Sequence, residues 1–239
     1  MTRTRSLRRS ALVATAVVTG VGMAALSAGP ALAASSTTVT PAGHSYTASL
    51  VTGTTATFLV GSTTVTCNQS SNNGAVPAEP DNTSAAGPVV SSLTPAIFAN
   101  NGGACPTNVL FTTARTVSNE TNGPWTIALQ YEEAGSVGTM TIPQAGVVTT
   151  ISGLASCVVT VAPDGPASFS GPWVAGTATS APVLDFSAGV SLPIKVTGGL
   201  ACPTGATTAT FKARYSVNDT TDATQQITVA AAAVVEPTE

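Results

Sequence analysis

Trp125-Thr126-Ile127-Ala128-Leu129-Gln130-Tyr131 decides the fold class. Trp125, Ile127, Leu129 and Tyr131 fall on one side of an extended chain, with smaller or polar residues on the other. A period of two marks a strand with one buried face. Thr208 to Val217 repeats the pattern: Phe211, Ala213, Tyr215 and Val217 are set to face in, and Lys212, Arg214 and Ser216 to face out.

Similar runs occur at Tyr46–Val51, Ala56–Val60, Thr63–Cys67, Val109–Val117, Val137–Ile142, Val147–Ile151 and Cys157–Val161. Val183–Phe186, Val190–Val196 and Ile227–Val235 complete a set of about twelve short strands. Thr and Val dominate them, and both are β-branched and suit a pleated surface. Clusters of Gly, Pro, Asn, Asp and Ser separate the runs, and Gln69–Gly87 is the longest expected loop. The pattern predicts an all-β fold, a sandwich or barrel-like arrangement. One domain over 34–239 and two packed β-modules divided near 120–150 both fit. Ala-Cys-Pro-Thr recurs at 104–107 and 201–204, and Gly-Pro-Trp at 123–125 and 171–173. Their offsets differ, so they define no single repeat.

Composition narrows the function. Charged residues are 8% of the 239, against about 25% in an average soluble protein. The 8 Lys and Arg are too few for a nucleic-acid-binding patch. Residues 1–33 read as a bacterial secretory signal peptide. Arg3, Arg5, Arg8 and Arg9 precede an apolar run from Ala11 to about Leu26, and Ala31-Leu32-Ala33 is an A-x-A cleavage site. The exported protein then begins at Ala34, secreted or held at the cell surface. Beyond the leader no stretch reaches the ~20 uninterrupted apolar residues of a transmembrane anchor. That part keeps Arg115, Lys195, Lys212 and Arg214 against all 11 acids, a balance that argues against anionic membranes or polyanions as partners.

Cys67, Cys105, Cys157 and Cys202 all lie in the exported part. An even number in an oxidising compartment points to disulfides. Three pairings are open, and local loop closure favours Cys67–Cys105 with Cys157–Cys202. Their spacing does not suit a zinc site, which uses close pairs.

Catalytic patterns are not evident. His44 is the only histidine and reads as a solvated residue near the exported N-terminus, without a nucleophile or carboxylate beside it in sequence. Glu132 and Glu133 are adjacent and read as a turn before Ala134-Gly135. Asn218-Asp219-Thr220-Thr221-Asp222 also reads as a turn, with a weak calcium site as the alternative. No cofactor or metal is expected. Both tryptophans read as core residues, Trp125 because it is in phase with a core-facing strand; an exposed Trp173 would instead make a platform for a glycan or other small ligand. A β-barrel pore is a further reading that rests on strand alternation alone.

The motif order carries a resemblance. Thr64-Val65-Thr66-Cys67-Asn68 is followed by Cys105, Pro124-Trp125-Thr126, Cys157 leading into Pro166–Trp173, and Cys202. This resembles the small secreted bacterial proteins described as activators of alkane oxidation, the Pra-type proteins, some of which act at the cell surface. The match runs from about Val65 to Cys202; longer loops and the segment Thr208–Val235 depart from it. The resemblance implies an extracellular, non-enzymatic role at hydrophobic interfaces and carries over no catalytic residue. The expected function is a surface or structural protein that meets the cell envelope, a hydrophobic phase or copies of itself. The alternative is a ligand-binding β-module.

Overall fold

The alternation that begins at Trp125 is realised as a strand with Trp125, Ile127 and Leu129 buried. The same rule shapes the rest of the chain. The computed structural model describes residues 35–153, 156–199 and 202–233, which form twenty strands and no helix. The expected leader and its cleavage site lie outside the described residues.

In chain order the first seven strands are β1 (Thr37–Thr40), β2 (Ser45–Leu50), β3 (Ala56–Val60), β4 (Thr63–Cys67), β5 (Gln69–Ala75), β6 (Thr83–Ser84) and β7 (Val89–Leu93). Next come β8 (Ile97–Ala99), β9 (Cys105–Pro106), β10 (Thr113–Ser118), β11 (Trp125–Gln130), β12 (Val137–Ile142), β13 (Val147–Ser152) and β14 (Cys157–Val161). The last six are β15 (Ala167–Val174), β16 (Val183–Asp185), β17 (Val190–Gly198), β18 (Thr208–Lys212), β19 (Arg214–Asp219) and β20 (Thr228–Ala230).

Two large antiparallel sheets result. A nine-stranded sheet runs β2-β19-β16-β15-β12-β11-β7-β5-β8, and a further β2–β5 pairing closes its first eight strands into a ring. An eight-stranded sheet runs β4-β3-β18-β17-β14-β13-β10-β9. Its two edge strands are drawn together by the Cys67–Cys105 disulfide and by a bridge between Val65 and Thr107. The second disulfide, Cys157–Cys202, ties the β17–β18 connection to the start of β14. A small third sheet, β20-β1-β6, completes the structure. The all-β reading and both cysteine pairings therefore hold.

Residues on either side of 120–150 pair within the same sheets, as β2 does with β19 and β3 with β18. A cut there would separate hydrogen-bonded neighbours. One continuous core lies inside. Five of the 6 phenylalanines, Phe58, Phe98, Phe169, Phe186 and Phe211, cluster with ring centroids 4.8–6.2 Å apart.

Thr208–Val217 is divided. All four inward residues are buried as expected, but the chain passes from one sheet to the other at Ala213. Gln69–Gly87 is not the single long loop expected, because Gln69–Ala75 is strand β5. Its alternation is written in polar residues, with Ser70 and Asn72 turned inward. Several short strands, β6, β8 and β9 among them, take the number beyond the apolar runs that sequence can reveal.

Candidate functional site

Both tryptophans are core residues. Trp125 is buried, and its Nε1 donates to the Asn119 carbonyl at 2.8 Å. Trp173 is 6% exposed, because it sits at an inward position of β15 opposite Leu184. A stacking platform needs an open ring face, and Trp173 offers none.

Trp173 instead lines a cavity inside the closed ring, with Tyr46, Asn72, Ile127, Leu129 and Tyr215 among its neighbours. About 20 Å³ is open to the centres of water-sized molecules, room for a single water. Tyr46, Asn72 and Trp173 line this space, and Tyr46 Oη, Asn72 Oδ1 and Trp173 Nε1 are buried without a hydrogen-bond partner. Ser91 approaches the Tyr46 hydroxyl without reaching hydrogen-bond geometry. Burial pushes the Tyr46 and Tyr215 phenols well above their ordinary range, and Tyr215 shares a 2.8 Å hydrogen bond with Ser70.

The ring's interior is mainly apolar, with Ser70 and Asn72 of β5 also turned inward, and its outer face carries hydroxyls on β12 and β15. Thr139 pairs with Ser170 and Thr141 with Ser168 on its outer face, each at 2.8 Å. A transmembrane barrel needs an apolar band facing lipid, which the outward Thr and Ser pairs of β12 and β15 do not supply.

His44 is not the solvated residue expected. Its Nδ1 lies 2.8 Å from Asp219 Oδ2, and the Asp219 side chain is fully buried. Asp219 Oδ1 accepts the backbone N–H groups of Thr221 and Asp222. Beside them, the Ser45 N–H donates to Thr221 Oγ1, and the Thr220 N–H donates to the Ser45 carbonyl. The group fastens the start of β2 to the end of β19. Asp222 is used locally, accepting from Thr224. Among the described residues no three His, Cys, Asp or Glu side chains gather as a metal site. Glu132 does lie at a turn, where Gly135 N–H donates to its carbonyl at 3.0 Å.

Burial opposes the Asp219 charge. The N–H of Asp222, the His44 ring and the N–H of Thr221 outweigh it and hold the carboxyl below its usual range. A depressed folded-state pKa gives stability that is present above the unfolded value and lost as pH falls through the folded one. The melting temperature should therefore fall between about pH 5 and pH 2. The gap between wild type and Asp219→Asn should narrow over that interval. Thermal melts across the series check this, and a constant gap would show that Asp219 does not titrate in this way.

The feature that sequence reasoning missed lies between β9 and β10. Val109-Leu110-Phe111 was expected to open a strand, but the strand begins only at Thr113. Leu110 is 70% exposed and Phe111 77%, the one phenylalanine outside the core cluster. The loop is nevertheless well fastened. Asn108 donates its N–H to the Thr64 carbonyl at 3.1 Å and its side-chain amide to the Ser62 carbonyl at 2.9 Å. Its Oδ1 accepts the Thr64 N–H at 2.8 Å. Thr107 accepts the Val109 N–H, and Thr112 donates to the Val109 carbonyl. The Cys67–Cys105 bond lies just upstream.

Phe111 adopts φ 57°, a conformation that is sterically disfavoured for a bulky residue. Its carbonyl presses so closely on Gly153 that a Cβ there would stand 2.1 Å away. The sequence did contain a signal. Three consecutive apolar residues break the period of two, and such a run, when exposed, is a fault unless it serves a function.

The fold and this site define a class: a disulfide-stapled β protein of two large sheets and one small one that holds an apolar loop out into solvent. Comparison with protein-family models, with curated proteins and with solved structures gives no match. The disulfides indicate an oxidising, extracellular type of environment. Among the described residues no helix is long and apolar enough to cross a membrane.

Proposed function

We propose that the chain is a secreted bacterial, non-enzymatic protein that attaches to an apolar phase at or outside the cell surface. The Val109–Phe111 loop makes the attachment. The carrying observation is the outward projection of Leu110 and Phe111 from a loop that hydrogen bonds and a disulfide hold in place. The signal-like residues 1–33 and the paired cysteines support export. The motif-order resemblance to Pra-type proteins supports a role at hydrophobic interfaces.

The energetics are adequate. Transfer of a leucine or phenylalanine side chain out of water yields about 1.5–3 kcal/mol. A loop already ordered loses little further conformational freedom on attachment, so most of that gain is kept. The test is partition of the purified exported protein between buffer and a hydrocarbon–water interface. Leu110→Ser with Phe111→Ser should reduce enrichment at least about 100-fold, the minimum set by the two transfer terms. Both positions face solvent, so melting should be unchanged. Undiminished enrichment in the double variant would overturn the proposal. Saturable binding in a glycan screen, untouched by the double variant, would favour a ligand-binding module instead.

A further inference from the structure

The apolar loop leads directly into the outer face of the eight-stranded sheet. That face has an unusual charge distribution. No Asp or Glu occurs in any of its eight strands. Every acid among the described residues lies in a loop or on the nine-stranded sheet. Of the four cations after residue 33, three stand exposed on this face: Arg115 on β10, Lys195 on β17 and Lys212 on β18. The fourth, Arg214, is on the other sheet and paired with Asp185 at 2.9 Å. Among the described residues neither ion pair involves Arg115, Lys195 or Lys212. An overall excess of acid therefore conceals a face that is locally cationic.

The strand registers show what lies between these cations. One cross-strand row reads Arg115, Thr150, Val158, Thr197, and the next reads Val117, Val148, Thr160, Lys195. Arg115 and Lys195 stand about 16 Å apart, three strand spacings across and two residues along. Neutral, half-exposed Thr and Val fill the interval, and Val117 is 57% exposed. The apolar loop joins the end of the sheet where β10 begins and β13 ends. Glu120 and Asp164 follow β10 and β14 at the opposite end, and Lys212 lies toward that end too: Thr208 is level with Pro193, one residue past the Val161–Ile194 pair, and Lys212 is the last residue of β18.

We infer that this face lays the protein on an anionic amphiphile layer. Arg115, Lys195 and Lys212 meet its headgroups while Leu110 and Phe111 enter its apolar part. The inference rests on the attachment proposed above and specifies the chemistry of the phase. Charge complementarity selects an anion. Widely spaced cations separated by neutral β-branched residues suit a broad, laterally continuous anionic surface better than a narrow polyanion chain. The adjoining apolar loop requires that the anionic surface cover an apolar interior.

The experiment uses vesicles of phosphatidylcholine alone and vesicles containing about 30% phosphatidylglycerol, an anionic content that gives a marked negative surface potential. The purified exported protein should bind the anionic vesicles at least about tenfold more tightly at low salt. That preference should vanish near 1 M salt, where screening reaches ~3 Å. Arg115→Ser/Lys195→Ser/Lys212→Ser should erase the preference while keeping enrichment at a plain hydrocarbon interface. Leu110→Ser/Phe111→Ser should lose both. Equal binding to the two vesicles, or a preference that survives in the triple variant, would overturn the inference and leave the attachment proposal standing. Salt-sensitive retention on a sulfated polysaccharide without vesicle preference would overturn it in favour of a polyanion. Undiminished hydrocarbon enrichment in the loop variant would overturn the attachment itself.

Discussion

Trp125→Ala should destabilise the protein by about 3–5 kcal/mol, the range for deleting a large aromatic from a packed core. The ring is 1% exposed and lies between the sheets, near Ile142, Val147 and Phe169. Both sheets contribute to its surroundings, so neither can close the space without shifting against the other. The substitution also leaves the Asn119 carbonyl without its indole donor. Trp125→Phe should cost less, because most of the volume remains. Urea unfolding followed by circular dichroism checks both values. A loss below about 1 kcal/mol, well under the usual range for such a deletion, would mean that Trp125 is not a central packing element.

The second large effect concerns Cys67–Cys105. Cys67→Ala with Cys105→Ala should cost about 2–4 kcal/mol through loss of loop closure. It should also weaken interfacial enrichment, because the bond joins the sheet edges next to the apolar loop. Without it, the Val65–Thr107 bridge and the contacts of Asn108 must hold the edge. Cys157→Ala with Cys202→Ala should cost a similar amount of stability and leave enrichment unchanged, because that bond anchors a different connection. Denaturant unfolding and interface partition, measured on both pairs, separate the two roles. Equal enrichment in both double variants would show that the first disulfide stabilises the fold without positioning the loop.

Much of the fold was legible because burial on one face imposes a local period. At Trp125–Gln130 and across Thr208–Val217 the apolar residues themselves carry that period. Strand β5 was hidden because Gln-Ser-Ser-Asn-Asn-Gly has the composition of a loop. It is a strand because β2 and β8, neither of them next to it in sequence, supply its hydrogen-bond partners. The His44–Asp219 contact was illegible for a related reason: 175 residues separate the two, and only the β2–β19 register brings them together. At Trp173 the core reading and the platform reading were both open in sequence, and its position within β15 decides that the ring faces inward. The apolar loop lay within a run read as strand, although turn-forming Pro106-Thr107-Asn108 precedes it and the alternation fails there. Charge segregation needed the sheet order, since its three cations are dispersed in sequence.

The most direct test of attachment through one loop compares surface-pressure rise at an apolar interface for three forms of the exported protein. One is unaltered, one carries Leu110→Ser/Phe111→Ser, and one carries Val90→Ser/Val174→Ser. Val90 and Val174 are also exposed apolar residues, 55% and 47%, but they lie on the other sheet. The account predicts a rapid rise for the unaltered protein and the Val90/Val174 variant, and its near loss in the Leu110/Phe111 variant. An equal rise in all three would contradict it, because adsorption would then be a property of the whole surface and not of the Val109–Phe111 loop.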